Sequence, residues 1–312
     1  MACRPLAVSC IELEVTTRCN WSCEFCPVSI DPKKPAVMSM ELFEYILQKA
    51  KAHGVQYISP NAYNEPTIDP LFLDRAEMLV KYGLKMILHS NGSGLTDAKI
   101  ARLKELNVLE SLTFNLPTLD PEKFKAMTGY DKLEKTLEVH RKCIDAGFAV
   151  QFSVNGTNEE LRANLPAIKV AYPGRTPFPR YNLELPVTGT DDRAGKLENK
   201  HGKWFGITLD RLAGCRIPHH WLSMNIHGDF FLCCMDYDQK TTYGNIKDGT
   251  IAEILTSPKA KAIYDQMDGD AIADKDFLCR KCHVMAQTIH DKTLIARPGR
   301  FITFGDGEVK KS

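Results

Sequence analysis

The chain has 312 residues, 44% of them hydrophobic, which is enough for one large domain and a smaller one built around a real core. Its 40 Lys and Arg balance 39 Asp and Glu, so no basic field points to nucleic acid or to an anionic membrane surface. No apolar run approaches the roughly 18 to 20 residues of a membrane span and no signal-peptide core is present, so the 11 cysteines read as reduced thiols of a cytoplasmic, oxygen-sensitive protein.

Met1 to Ser9 has little pattern, and Cys3 and Cys10 read as passive. The first strand is Ile11 to Val15, and shortly after it comes Cys19-Asn20-Trp21-Ser22-Cys23-Glu24-Phe25-Cys26, a C-x3-C-x2-C run. Three thiolates on one loop can hold three irons of a cubane cluster and leave the fourth open for chemistry. The alternatives are unrelated thiols or a zinc site, although zinc usually gathers four ligands from paired C-x2-C knuckles.

From Ile11 onward one unit repeats: strand, loop, amphipathic helix, glycine, next strand. Ser39 is an N-cap for a helix with Leu42, Phe43, Ile46, Leu47 and Ala50 on one face, ending at His53-Gly54 before the strand Val55 to Ile58. Asp69-Pro70 predicts the next helix start, with Leu71, Phe72, Ala76, Leu79 and Val80 inward and Lys85 to Leu88 as the following strand. A helix from Thr96 precedes a strand at Leu109 to Phe114, and a helix from about Asp131 precedes a strand at Phe148 to Val154. Cys143, on that last helix, reads as core packing. A helix from Glu159 to about Ala171 and a strand at Tyr181 to Leu185 complete about six units. Strands alternating with helices predict a parallel α/β fold, with chemistry at the C-terminal ends of the strands.

Beyond Pro186 the pattern changes. Val187 to Lys203 is polar and glycine-containing, and reads as a linker or active-site loop. Cys215 then precedes two strands, Leu222 to Ile226 and Phe230 to Cys233, joined by a His227-Gly228-Asp229 turn. A helix from Thr250 to about Met267 and Cys279-Arg280-Lys281-Cys282 follow, so Cys215, Cys233, Cys279 and Cys282 make a set of four that suits an iron–sulfur cluster or a structural zinc. Cys234 stands beside that set, either replacing Cys233 as ligand or remaining a thiol.

The C-x3-C-x2-C run near the start of the chain resembles that of the radical S-adenosylmethionine (SAM) enzymes. The resemblance extends from about Ile11 to His283 and implies a partial (β/α)6 barrel, residues 1–206, whose [4Fe-4S] cluster is held by Cys19, Cys23 and Cys26 and chelated by SAM. It places Phe25 beside the adenine. Asn64-Glu65-Pro66 resembles the family's Gly-Gly-Glu-Pro stretch, with Glu65 meeting the SAM ammonium and Asn64 departing from glycine. Ser90-Asn91-Gly92 is similar to a stretch near the SAM methionyl part or ribose, with an ordinary Asn-Gly turn as the alternative, and Asn115 stands where relatives often carry a polar group directed to ribose.

The C-terminal cysteines resemble the twitch form of the SPASM extension, residues 207–312, and imply one auxiliary [4Fe-4S] cluster on Cys215, Cys233, Cys279 and Cys282. Asp192-Arg193-Ala194-Gly195 resembles an Asn-Arg-Ala-Gly stretch of related enzymes; Arg193 reads as a solvated surface residue, with substrate contact as the alternative. The implied activity is oxidation of a small alcohol- or sugar-like substrate, with a flavodoxin- or ferredoxin-type reductant. The alternatives are epimerisation with Cys234 as hydrogen donor, modification of a peptide, and a non-enzymatic electron-transfer or cluster-carrier protein.

Overall fold

A computed structural model describes residues 8–179, 193–197, 206–286 and 288–289. Asp192, most of the 187–203 segment and the strand expected at Tyr181 to Leu185 lie outside the described residues. The first six strands are β1 (Cys10–Leu13), β2 (Tyr57–Ser59), β3 (Lys85–Ser90), β4 (Leu109–Asn115), β5 (Val150–Val154) and β6 (Pro177–Pro179). They pair in that order and all in parallel, as the alternating pattern predicts.

The connecting helices are α1 (Met40–His53), α2 (Phe72–Lys81), α3 (Asp97–Leu106), α4 (Pro121–Thr128), α5 (Leu133–Asp145) and α6 (Asn158–Ala171). Ser39 caps α1 by accepting from Leu42 N, as its position predicts. Asp69 does not cap α2, which begins at Phe72. Its carboxylate instead accepts from Leu71 N and from Arg75 Nε, 2.7 Å away, a buried ion pair that outcompetes the cap. Helix α4 has no counterpart in the hydrophobic periodicity, yet Asp120-Pro121 carries the same Asp-Pro start signal, and here the carboxylate does cap, accepting from Glu122 N and Lys123 N.

The C-terminal part contains α7 (Ile217–His220), β7 (Trp221–Met224), β8 (Asp229–Phe231), β9 (Gly244–Asn245), α8 (Ile251–Leu255) and α9 (Pro258–Asp268). The single helix expected from Thr250 is two, because Pro258 offers no N–H to continue α8 and Ser257 caps a new start through Ala260 N. The hairpin forms as expected, and it continues the main sheet: β7 pairs in parallel with β1, and β8 and β9 add antiparallel beyond it.

Side-chain alternation divides the sheet into two faces. Phe114 and Phe152 stack around His140 of α5, so that face lies under the helices. Thr113, Asn115 and Ser153 therefore point to the other face. Glu12, in register with both Ser59 and Ser223, carries its side chain opposite to the buried Ile11 and Leu13. The inner face thus carries Glu12, Ser59, Ser223, Thr113, Asn115 and Ser153 among larger side chains such as Tyr57, Ile87 and Phe178, and is more polar than a barrel interior filled with apolar side chains.

Candidate iron–sulfur and SAM site

The C-x3-C-x2-C loop leaves the C-terminal end of β1 and is docked by the connection between α4 and α5. Ser22 N and Glu24 N donate to Thr128 O and Met127 O, both at 3.0 Å. Trp21 packs edge-on against Phe124 and stacks on Tyr130, each at 5.3 Å between centroids. Gly129 sits at φ +68°, and a Cβ there would strike Ser22 Oγ, so the loop passes where only glycine leaves room. Phe25 is packed into the core at 4% exposure.

Burial pushes the Cys19 thiol up to about 12 and the Cys23 thiol well above its ordinary value, and the neighbouring cysteines of the loop push the same way. Left to themselves these thiols stay protonated, and a coordinated metal would deprotonate them outright. No three His, Cys, Asp or Glu side chains among the described residues converge closely enough for one metal ion. Cysteines that interact at wider spacing suit a polynuclear iron group, and the donor set fits it.

Glu65, 2% exposed, lies at the start of the 3-10 turn Pro66–Ile68 after β2. Its Oε1 accepts from Thr67 N at 2.9 Å, Thr67 Oγ1 at 2.5 Å and Ser90 Oγ at 2.7 Å, while Oε2 accepts from Asn91 N at 2.7 Å. Oε1 is saturated, and Oε2 retains acceptor capacity. Burial raises the Glu65 pKa, against the opposing pull of these hydrogen bonds. Among the described residues no Lys or Arg forms an ion pair with it, so the carboxylate fits an ammonium ligand such as that of SAM.

Ser90 serves this site through Glu65. Asn91, expected with Ser90 near SAM, reaches further: its Nδ2 donates to Asn20 Oδ1 at 3.1 Å, tying the glutamate to the cysteine loop, and Ser93 Oγ donates to Asn20 Oδ1 at 3.1 Å. Asn64 turns its amide back on its own loop, accepting from Ala62 N at 2.6 Å and donating to Pro60 O at 3.0 Å. Asn115 accepts from Asn155 Nδ2 at 2.7 Å across the ends of β4 and β5. Beside it, Ser153 Oγ is buried with no hydrogen-bond partner among the described residues. Strand alternation marks both Asn115 and Ser153 as inward-facing; Asn155 and Ser153 carried no motif signal.

The second set comes together from distant parts of the chain. Cys233 lies near Cys234, Cys279 and Cys282, and Cys279 near Cys282 and Cys215, close enough for their charges to interact; burial first, then these neighbours, hold the thiols of Cys233 and Cys279 well above the ordinary range. Cys279 lies within the 3-10 turn Leu278–Lys281, and Cys282 follows at its C-terminal end. Arg193 is not a solvated surface residue: it is 7% exposed, with its guanidinium 5.5 Å from the Tyr63 ring centroid. A cation over an aromatic face keeps its attraction when desolvated, which permits that burial.

Strand ends that gather three cysteines and a buried glutamate, beside a second group of four cysteines from the loops and turns of the C-terminal part, define an iron–sulfur α/β enzyme of the partial-barrel type. The chain belongs to the radical SAM superfamily, whose model matches residues 13–163, and its C-terminal part is a SPASM iron–sulfur cluster-binding domain, matched over residues 215–283. A probable GTP 3',8-cyclase of Sulfurisphaera tokodaii is 26% identical over 137 residues, and the chain covers only 43% of its length. The S-adenosyl-L-methionine-dependent 2-deoxy-scyllo-inosamine dehydrogenase of Niallia circulans is 23% identical over 285 residues, 90% of this chain and 95% of that one. The crystal structure of BtrN in complex with AdoMet and 2-DOIA superposes with a TM-score of 0.56 at 20% identity, covering 84% of this chain and 88% of that one. No helix among the described residues is long and apolar enough to cross a membrane.

Proposed function

We propose that this radical SAM enzyme oxidises a small hydroxyl-bearing substrate, an alcohol or sugar-like molecule, to its carbonyl form. The observation that carries the reading is the polar inner face: Glu12, Ser59, Ser223, Thr113 and Ser153 offer hydrogen-bonding groups to a polyol. Similarity to a dehydrogenase along nearly the whole chain supports the same class. Residues 1–206 would form the SAM-binding barrel and 207–312 the auxiliary unit, with a flavodoxin- or ferredoxin-type protein as reductant.

When bound, SAM and the cluster on Cys19, Cys23 and Cys26 supply a 5′-deoxyadenosyl radical, and a cluster on Cys215, Cys233, Cys279 and Cys282 supplies a one-electron acceptor. Oxidising a carbinol to a carbonyl removes one carbon-bound hydrogen atom, one hydroxyl proton and one electron. Glu12, half-buried with its carboxylate 3.0 Å from Ser223 Oγ, is the group we assign to take the proton. Glu65 orients SAM, Asn91 and Asn20 keep that carboxylate in register with the cysteine loop, and Arg193 closes the mouth beside Tyr63.

The test is anaerobic reconstitution with iron and sulfide, reduction by dithionite, and incubation with SAM and polyols deuterated at the carbinol carbon. About eight irons per chain, deuterium in 5′-deoxyadenosine and a carbonyl product are expected. Loss of SAM cleavage on replacing Cys19, Cys23 and Cys26 by alanine completes the assignment. Solvent deuterium at the product carbon would instead establish epimerisation, with Cys234 as donor, and absence of any SAM cleavage would make the chain an electron carrier.

A further inference from the structure

Separate parts of the chain meet at one side of the barrel mouth. Tyr63, just before Asn64 and Glu65, holds φ +61°, a left-handed conformation in which a bulky aromatic residue is strained. Its ring meets that of Tyr237 edge-on at 4.8 Å and carries the Arg193 guanidinium, and its hydroxyl donates to Cys234 O. Tyr237 in turn donates its hydroxyl to Asp31 O, beyond the last cysteine of the SAM-side loop. Lys33 and Lys196 face the Tyr237 ring at 5.2 and 5.3 Å, and Lys196 joins Asp31 to Asp238 at 2.8 and 2.7 Å.

The loop that follows β8 carries a hydrogen-bond network of its own. Asp236 accepts from Lys240 N at 3.0 Å, and from Thr241 N and Oγ1 at 2.7 and 2.6 Å, and Thr241 Oγ1 accepts from Leu232 N at 3.0 Å. Those bonds set its shape. Its attachment to the barrel is a different matter and runs through the two tyrosines, Lys196 and Gln239, whose amide donates to Glu14 Oε2 at 3.4 Å. Strained backbone persists only where its surroundings compensate for it. At position 63 the compensation is a ring and a hydroxyl that glycine, the unstrained residue, would not supply.

We propose that Tyr63 is a positioning residue that fixes the loop carrying Cys233 and Cys234 against the loop carrying Glu65, and so sets the auxiliary cysteines relative to the SAM side. The role rests on the two-cluster reading above. It makes Tyr63 one of the links through which the electron-accepting end of the enzyme is held at the barrel mouth.

Tyr63→Phe keeps the ring and removes the bond to Cys234 O; Tyr63→Gly removes both and relaxes the backbone. In the anaerobically reconstituted full-length chain, amide exchange over residues 234–241 should quicken by about tenfold in Tyr63→Gly and by less in Tyr63→Phe, with β3 to β5 unchanged. In a Cys19→Ala, Cys23→Ala, Cys26→Ala background, where only the auxiliary cluster remains, both variants should shift its EPR line shape and midpoint potential, because hydrogen bonding and water access around a ligand cysteine tune these. Unchanged exchange at 234–241 together with an unchanged auxiliary signal would overturn the proposal, as would faster exchange spread over the whole chain with an unchanged signal. If the wild-type chain assembles no second cluster, the two-cluster reading fails, and the exchange data still decide whether Tyr63 docks the loop.

Discussion

Replacing Glu65 by glutamine tests the SAM side of the site with a change of one atom. In the wild type Oε1 takes three donors, from Thr67 N, Thr67 Oγ1 and Ser90 Oγ, and Oε2 takes Asn91 N. A glutamine must keep its carbonyl oxygen at the three-donor position, since turning the other way would set its NH2 against three donors at once. Its NH2 then faces Asn91 N, donor against donor, and the remaining acceptor site for an ammonium becomes a third donor. A hydrogen bond to a charged group contributes about 1.5 to 3 kcal/mol. Loss of the carboxylate–ammonium contact should therefore weaken SAM binding by roughly ten- to a hundredfold, since 1.4 kcal/mol is about a factor of ten. The clash at Asn91 should also loosen the tie to Asn20 and the cysteine loop. Anaerobic equilibrium dialysis of SAM against the cluster-loaded protein measures the first effect and iron content after gel filtration the second. An affinity within twofold of wild type would refute the assignment of Glu65 to the SAM ammonium.

Arg75→Met should destabilise the chain by about 3 to 5 kcal/mol, because it leaves Asp69, fully buried, without the guanidinium that also donates to Met38 O; adding Asp69→Leu should recover much of the loss in thermal midpoint. Gly129→Ala combines a positive φ with a collision at Ser22 Oγ, and should cost about 1 to 2 kcal/mol and lower iron retention at Cys19, Cys23 and Cys26, measured as iron per chain. His140 is held neutral in the aromatic core, burial first and Arg141 second lowering its pKa to about 3. Below about pH 6.5 the unfolded chain binds a proton that the folded chain refuses, so stability is lost as pH falls, by up to about tenfold in the folding equilibrium per pH unit. His140→Phe should remove that part of the slope in denaturant titrations between pH 6.5 and 4, and equal slopes would contradict the burial argument.

Much of the scaffold was legible because strand and helix periodicity is local. Ser39, the apolar face of α1 and the glycine after it all lie within one helix and its two ends, and the structure reproduces them. The cysteine spacings were legible for the same reason. Asp69 misled because its partner, Arg75, is recognised only after α2 has formed and the side chain has reached back. Arg193 misled because arginine is usually exposed, and nothing near it in the chain announces that Tyr63 will cover it. Helix α4, which holds the cysteine loop in place, was hidden by a weak apolar pattern, although Asp120-Pro121 was there to be read. The roles of Asn20, Asn91 and Tyr63 depend on contacts between loops that only the folded sheet brings together.

The shared element behind these contacts is β1. Its C-terminal end leads into the cysteine loop, its neighbour β2 leads to Tyr63 and Glu65, and its other neighbour β7 opens the hairpin that carries Cys233. Adjacent strands are about 4.8 Å apart, so the cysteine loop, the loop of Tyr63 and Glu65 and the β7–β8 turn emerge side by side, whereas Cys233 follows β8, which runs antiparallel to β7 and back from that end. Glu14, just past β1, reinforces this: its backbone N–H donates to Met224 O at the end of β7, and its carboxylate pairs with Lys33 at 2.5 Å while accepting from Ile226 N at 3.4 Å. Strand order therefore sets the cysteine loop beside Glu65, while the return of the loop after β8 to that side depends on the contacts at Tyr63, Tyr237 and Lys196. Substitutions there should therefore alter the auxiliary site without unfolding the sheet.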